Sequence, residues 1–422
     1  MNVISTIKTG GVNMALRGLS MGGKFALVLY IGRYFGLSEL GVYGIVATSV
    51  VLGMQLLGLD FYVYNTREIL KADNHIQPLF VKDQVIFHCL SYAVVLPLFL
   101  SVFLAEILPW EIVGWFYCVV IVEHLSQETT RLLTTLSKPL LASIVVFCRT
   151  GLWIVAFIIA GVLDDKFQTI VWLLAFWVAG SVFSLFIGGR EILKVQGWDW
   201  AHAFSVKPNV KWIKNGIRVA FPFFISTLGL QSIELSDRYF LKAYYGNDIV
   251  GIYIFSQNIA GICQVVVVTG LVMIVAPKIT EAYLKEKWEK YEENHRFLTI
   301  GILVTSAILS AALVILYPWI AKMTNKPEIV QNTYVFYLLL AAMFLYVVGF
   351  IPYYSLYVRK RDRSLLVSVV IAAGLNLILN LILIPRYEMI GAAFATLVSI
   401  ASILMLRFYF VFAHVRAKVS RR

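Results

Sequence analysis

Asn13, Arg17, Ser20 and Lys24 recur at i, i+4, i+7 and i+11, so they share one stripe of a helix. The stretch that carries them, 13–44, is apolar enough to cross a membrane. A charged side chain within a membrane costs about 2.5–3.5 kcal/mol on insertion scales, so such groups face a protein interior or a water-filled cavity. Arg149 lies at comparable depth in a later apolar segment. Arg17 and Arg218 lie near the cytoplasmic ends of the first and seventh spans, where snorkelling to the interface is the plainer alternative. Glu123 stands at about the depth of Arg149 in the preceding segment, which leaves a structural ion pair open. Glu123, Glu234 and Asp237 are the acidic residues best placed to couple a proton or cation. Ion pairing with Arg149 or Arg238 is the alternative for them. Gln127, Thr130 and Thr134 share a helix face with Glu123, and Asn376 and Asn380 are one turn apart. These polar stripes suit a hydrated interior or helix–helix hydrogen bonding. Arg407 reads as an end-of-helix snorkel. His88 and His124 read as packed core histidines rather than ligands. No phosphate-cradling Gly-rich loop, Gly-x-Ser-x-Gly or metal-spaced His/Cys cluster occurs. No catalytic residue, metal or cofactor is expected.

The elements that must position these charges are membrane helices. Of 422 residues 60% are hydrophobic and 14% charged, far from a soluble domain. Twelve spans fit: 14–36, 39–60, 82–105, 111–132, 139–163, 168–190, 214–240, 248–276, 296–318, 331–357, 364–385 and 389–412. Pro97, Pro222 and Pro352 fall inside spans and should kink them, whereas Pro277, Pro318 and Pro385 should mark ends. With the N-terminus inside, 24 of the 36 Lys and Arg fall in cytoplasmic segments and 6 outside. That bias makes both termini cytoplasmic and explains the net charge of +12 without nucleic acid. Cys89, Cys118, Cys148 and Cys263 lie in apolar segments and read as small core residues. The first eleven residues carry no removable leader pattern.

The basic, tryptophan-bearing break at 191–213 separates six spans in 1–190 from six in 214–422. The halves echo each other: Arg33-Tyr34-Phe35 then Gly41-Val42-Tyr43, and Arg238-Tyr239-Phe240 then Gly251-Ile252-Tyr253. Six spans per half keep both halves in one orientation, the parallel-repeat plan of some transporters. The fold expected is an all-α membrane protein of two six-helix bundles around a central cavity.

Ile31-Gly32-Arg33-Tyr34-Phe35-Gly36 followed by Gly41-Val42-Tyr43-Gly44 resembles the first-helix exit of polysaccharide-exporter flippases. Thr66-Arg67 after the second span is similar too. So is the run from Gly374-Leu375-Asn376 through Asn380 to Pro385-Arg386-Tyr387, then Ile390-Gly391-Ala392-Ala393. The family's Tyr-Gly after the Pro-Arg turn is Tyr387-Glu388 here. The resemblance is to the Wzx-type O-antigen flippases of the multidrug/oligosaccharidyl-lipid/polysaccharide exporter superfamily.

It implies a protein of the bacterial inner membrane that moves an undecaprenyl-diphosphate-linked oligosaccharide to the periplasmic face. The partners implied are the lipid-linked oligosaccharide, membrane lipid, a proton or sodium ion, and a polysaccharide polymerase or glycosyltransferases. The diphosphate would need cations, and Arg17, Lys24, Arg149 and Arg218 are the candidates. A cation-coupled multidrug exporter and a peptidoglycan-precursor flippase are the alternatives in the same superfamily. A membrane glycosyltransferase or ligase would need large outer loops, and these are short. A major-facilitator sugar porter would carry a Gly-rich basic loop after span two, and 59–75 does not.

Overall fold

The computed structural model describes the backbone of residues 3–419 and the side chains of residues 15–413. The side chain of Asn13 therefore lies outside the described residues. Among them the chain is helical throughout, without strands. Ten long helices run as α1 Val3–Tyr34, α2 Leu37–Gly58, α3 Gln77–Leu104, α4 Val113–Thr135, α5 Pro139–Leu163, α6 Ile170–Leu193, α7 Val210–Tyr245, α8 Asn247–Leu284, α9 Trp288–Lys322 and α10 Thr333–Tyr357. The last long element, Asp362–Val419, is interrupted at Glu388, whose φ of 50° and ψ of −129° are not helical. Its parts are α11 (362–387) and α12 (389–419). All twelve coincide with the spans expected from hydropathy. Nine of the described helices are long and apolar enough to cross a membrane by these criteria, the α11–α12 pair counting once.

The punctuation follows backbone chemistry. Gly36 (φ 111°) separates α1 from α2, and Gly246 (φ 84°) separates α7 from α8, conformations that glycine adopts without a Cβ clash. Pro139 opens α5 at its first turn, where the missing N–H costs nothing. In α10 the regular helix ends at Val348 and resumes at Phe350, two residues before Pro352. Pro277 and Pro318 do not mark ends but lie inside helices that continue beyond them, whereas Pro385 stands three residues before the break at Glu388, as expected.

The chain forms two compact units. The first takes in 1–35 and 45–224, the second 36–44 and 225–422. In the first unit, the stretch after α6 is anchored to α3. Trp198 Nε1 donates to Gln77 Oε1 at 3.0 Å, and Trp212 stacks on Phe80 at 5.1 Å between ring centroids. Lys82, 2% exposed, pairs with Asp83 at 3.0 Å and donates to the Val206 carbonyl at 3.0 Å. Lys82 is thus a buried tie.

In the second unit the starts of α2 and α8 pack reciprocally. A Cβ on Gly41 would stand 2.1 Å from the Asn247 carbonyl oxygen, and one on Gly251 would stand 2.2 Å from that of Leu37. The two glycines of the sequence echo thus allow one mutual close approach.

Candidate functional site

The charges of the first unit gather where α1, α4, α5 and α6 meet. Two local features shape the place. Residues 148–152 of α5 form a π-turn, one extra residue in the helix, and Arg149 is on it. Gly151 lets α1 approach: its Cβ would stand 3.1 Å from Ser20 Cα. The Trp153 and Trp177 rings stack beside the turn at 5.4 Å and 8°. Gly180 leaves room for Trp153, since a Cβ there would lie 2.6 Å from Trp153 Cβ.

Glu123, 3% exposed, is held from three sides. Arg149 Nη1 donates to its Oε2 at 3.0 Å. Trp177 Nε1 and Ser181 Oγ both donate to Oε1 at 2.7 Å. Arg149 Nη1 also reaches the Glu123 carbonyl at 3.4 Å, while its Nε has no partner. The ion pair left open by the sequence therefore forms.

Lys24 is different. It is exposed and makes no hydrogen bond or ion pair among the described residues. Its electrostatic neighbours are Glu123 and Arg149. One carboxylate faces two cations here. Arg17 and Arg218 are both exposed; Arg17 is not near a helix end as expected but midway along α1, because that helix already begins at Val3, whereas Arg218 lies toward the start of α7 with no hydrogen bond or ion pair among the described residues. Nothing in the geometry joins Arg218 to the Lys24 cluster.

The second unit holds the other acidic residues. Asp237, fully buried, accepts from the Tyr253 hydroxyl, from Thr396 Oγ1 at 3.4 Å and from the backbone N–H of Arg238 at 2.8 Å. Arg238 reaches Gln257 Oε1 through Nε at 3.1 Å and Nη2 at 2.8 Å. Gln257 in turn donates to the Glu234 carbonyl at 3.0 Å. Asn376 and Asn380, both fully buried, bond to each other at 3.1 Å and to Ser236 on α7. Asn376 Nδ2 and Asn380 Oδ1 remain without partners. The Asn one-turn spacing read from the sequence is thus part of an α7–α11 hydrogen-bond network.

Arg407 is not a snorkel. It is 8% exposed, donates to the Gly349 carbonyl at 3.4 Å and lies 5.1 Å from the Tyr353 ring centroid. It lines a cavity of about 150 Å³ with Tyr346, Tyr353 and Leu230. The Gly349 carbonyl also accepts the Tyr353 backbone N–H at 3.2 Å, so Arg407 is a second donor to it. Sequence reasoning also missed Glu128 and Arg131, which pair at 2.5 Å beside His88 and His124. The signal available was the His124/Glu128 spacing of four on one helix face.

Comparison with known proteins agrees with this architecture. An inward-facing multidrug resistance MATE family transporter of the MOP superfamily aligns over 96% of this chain and 98% of its own, at 14% identity and a TM-score of 0.75. The lipid II flippase MurJ, in an inward closed conformation, aligns over 96% and 87%, at 15% identity and a TM-score of 0.74. A MOP superfamily transporter from Pyrococcus furiosus gives 0.59 at 14% identity, over 96% and 93%. No curated protein sequence matches the chain at a significant level. The fold is therefore that of these transporters. The family model described as polysaccharide biosynthesis protein matches residues 7–283, most of the chain. The chain belongs to the polysaccharide biosynthesis protein family.

Proposed function

We propose that this protein is a flippase for an undecaprenyl-diphosphate-linked oligosaccharide, an O-antigen or other surface-polysaccharide repeat unit. It carries the glycan from the cytoplasmic to the periplasmic leaflet of the bacterial inner membrane by alternating access, with both termini cytoplasmic. Lys24 receives the diphosphate, Arg149 assists from the edge of its pair with Glu123, and Arg17 and Arg218 guide the anion at the entry. The prenyl chain stays in lipid. Glu234 and Asp237 are the coupling residues for a proton or sodium ion, and Glu123 is the weaker third because three donors already hold it. A polymerase or glycosyltransferase is the expected protein partner. The observation that carries the reading is Lys24: an exposed ammonium in the second half of α1 with no hydrogen bond or ion pair among the described residues, beside a second cation.

The test is complementation of a flippase-null strain with membrane levels checked alongside. Lys24→Ala should lose surface glycan and Lys24→Arg should keep part of it, since charge is the property required. Normal glycan from Lys24→Ala at normal expression overturns the assignment. The multidrug-exporter reading is favoured instead if export of a cationic drug, and not glycan, depends on Asp237.

A further inference from the structure

We propose that His88, His124 and Glu128 form a binding site for a divalent transition-metal ion of the zinc class, tying α3 to α4. This inference does not rest on the transport reading. In the sequence the two histidines stand far apart and alone; the packing of α3 against α4 brings them together. His124 and Glu128 are one helical turn apart on α4 and face the same way. His88 comes from α3. One ligand atom from each of the three lies within 4.8 Å of the others. His88 Nε2 is 3.7 Å from Glu128 Oε2, and the two imidazole centroids are 4.7 Å apart. Bonds of about 2.0–2.1 Å in tetrahedral geometry put ligand atoms about 3.3 Å apart, so the His88–Glu128 pair needs a few tenths of an ångström and the widest separation must close by up to about 1.5 Å.

Two further observations point to a ligand. His88 is 4% exposed and His124 is fully buried, yet His88 Nδ1 and His124 Nε2 have no hydrogen-bond partner. A buried ring nitrogen left unmet is costly, and simple packing of two rings does not explain a pair of them. The other nitrogen of the His124 ring is held, while in His88 the nitrogen that faces Glu128, Nε2, is the one Gln84 meets and would have to give up to an ion. The Tyr92 hydroxyl is 2.7 Å from His124 Nδ1, and Gln84 Nε2 is 3.1 Å from His88 Nε2. Tyr92 can accept from Nδ1–H, which leaves the lone pair of His124 Nε2 free, as metal-binding imidazoles require.

The charges also fit. Arg131 Nη1 occupies Glu128 Oε1 at 2.5 Å and Nη2 stands 4.0 Å from Asp60 Oδ1. Two carboxylates thus share one guanidinium, and Glu128 Oε2 faces the histidines. Gln84 Nε2 now donates to that oxygen at 2.7 Å while its Oε1 accepts from Asn65 Nδ2, so the Gln84 amide must swing clear when the ion enters. Imidazole and carboxylate together select zinc, cobalt or nickel over magnesium or calcium.

The experiment uses the full chain, purified in detergent and stripped with a chelator, and titrated with Co²⁺ as a coloured probe. A saturable visible ligand-field spectrum at one ion per chain, displaced by Zn²⁺, is expected. His88→Gln and His124→Gln should each weaken binding at least tenfold, while His295→Gln should not. His88→Cys should keep binding and add a thiolate-to-cobalt band in the near ultraviolet. Where a variant fails to give monodisperse protein, X-ray absorption of zinc-loaded wild type decides, and it should show two imidazoles on the metal. No saturable cobalt spectrum, a spectrum indifferent to both His→Gln changes, or zinc without imidazole ligands overturns the proposal.

Discussion

The Glu123–Arg149 pair separates folding from transport most cleanly. Glu123 is 3% exposed and has three donors, of which only Arg149 is charged. Arg149→Met leaves a carboxylate in the interior with two neutral donors, and one-sided removal of a buried pair costs about 3–5 kcal/mol. Glu123→Gln keeps an oxygen for Trp177 and Ser181 but turns an NH₂ toward the guanidinium, so two donors face each other. Arg149 is the less buried partner, its side chain 12% exposed, and the cost should fall lower, at roughly 2–3 kcal/mol. The double variant has neither charge and retains both neutral bonds, so it should cost only about 1 kcal/mol. The cycle then gives a coupling of about 4–7 kcal/mol, above the 0.5–3 kcal/mol usual for contacting residues. The assay is unfolding of each purified variant in mixed micelles, with membrane levels as a cellular check. A double variant no more stable than the worse single one would refute the ion-pair argument. Glycan export by a well-folded double variant would refute the role proposed for Arg149 in binding.

The other predictions concern packing, topology and coupling. Gly41→Ala and Gly251→Ala should each destabilise by about 1–3 kcal/mol, because the new methyl meets a backbone carbonyl that cannot step aside. Gly22→Ala, with nothing within 4 Å of the added Cβ, should leave thermal stability unchanged or slightly raised; equal losses at all three positions would show that close packing is not the cause. Single cysteines at the exposed positions Lys207 and Lys287, in a chain lacking the native four, should resist a membrane-impermeant thiol reagent in intact cells. Ready labelling at both sites would reverse the orientation. Asp237→Asn should abolish the dependence of vesicle transport on an ion gradient, and transport that never depended on one rules out coupling there.

How much could be read from the chain beforehand depends on which physical quantity carries it. Helix number and extent follow from hydropathy, a sum over about twenty residues that single errors do not upset, and all twelve spans were legible. Register across the repeat was only half legible. Gly41 and Gly251 pack as equivalents, whereas Arg33 and Arg238 do not fall at matching distances before them.

Rotation about the helix axis was the quantity that counting could not supply. Each residue turns the helix by about 100°, so neighbours in sequence face different partners. On α4, Glu123 turns to Trp177 and Ser181 of α6, while His124 turns to Tyr92 and His88 of α3. One step of the chain thus divides an ion-paired cluster beside Lys24 from a histidine cluster that hydropathy and spacing both conceal. Arg407 shows the same effect at a helix end. Its position suits a side chain reaching the interface, but its rotation points it at the Gly349 carbonyl and the Tyr353 ring. A charge within a membrane segment is therefore visible in the sequence as a cost, and only the packed neighbours reveal whether a partner, a cavity or a ligand offsets it.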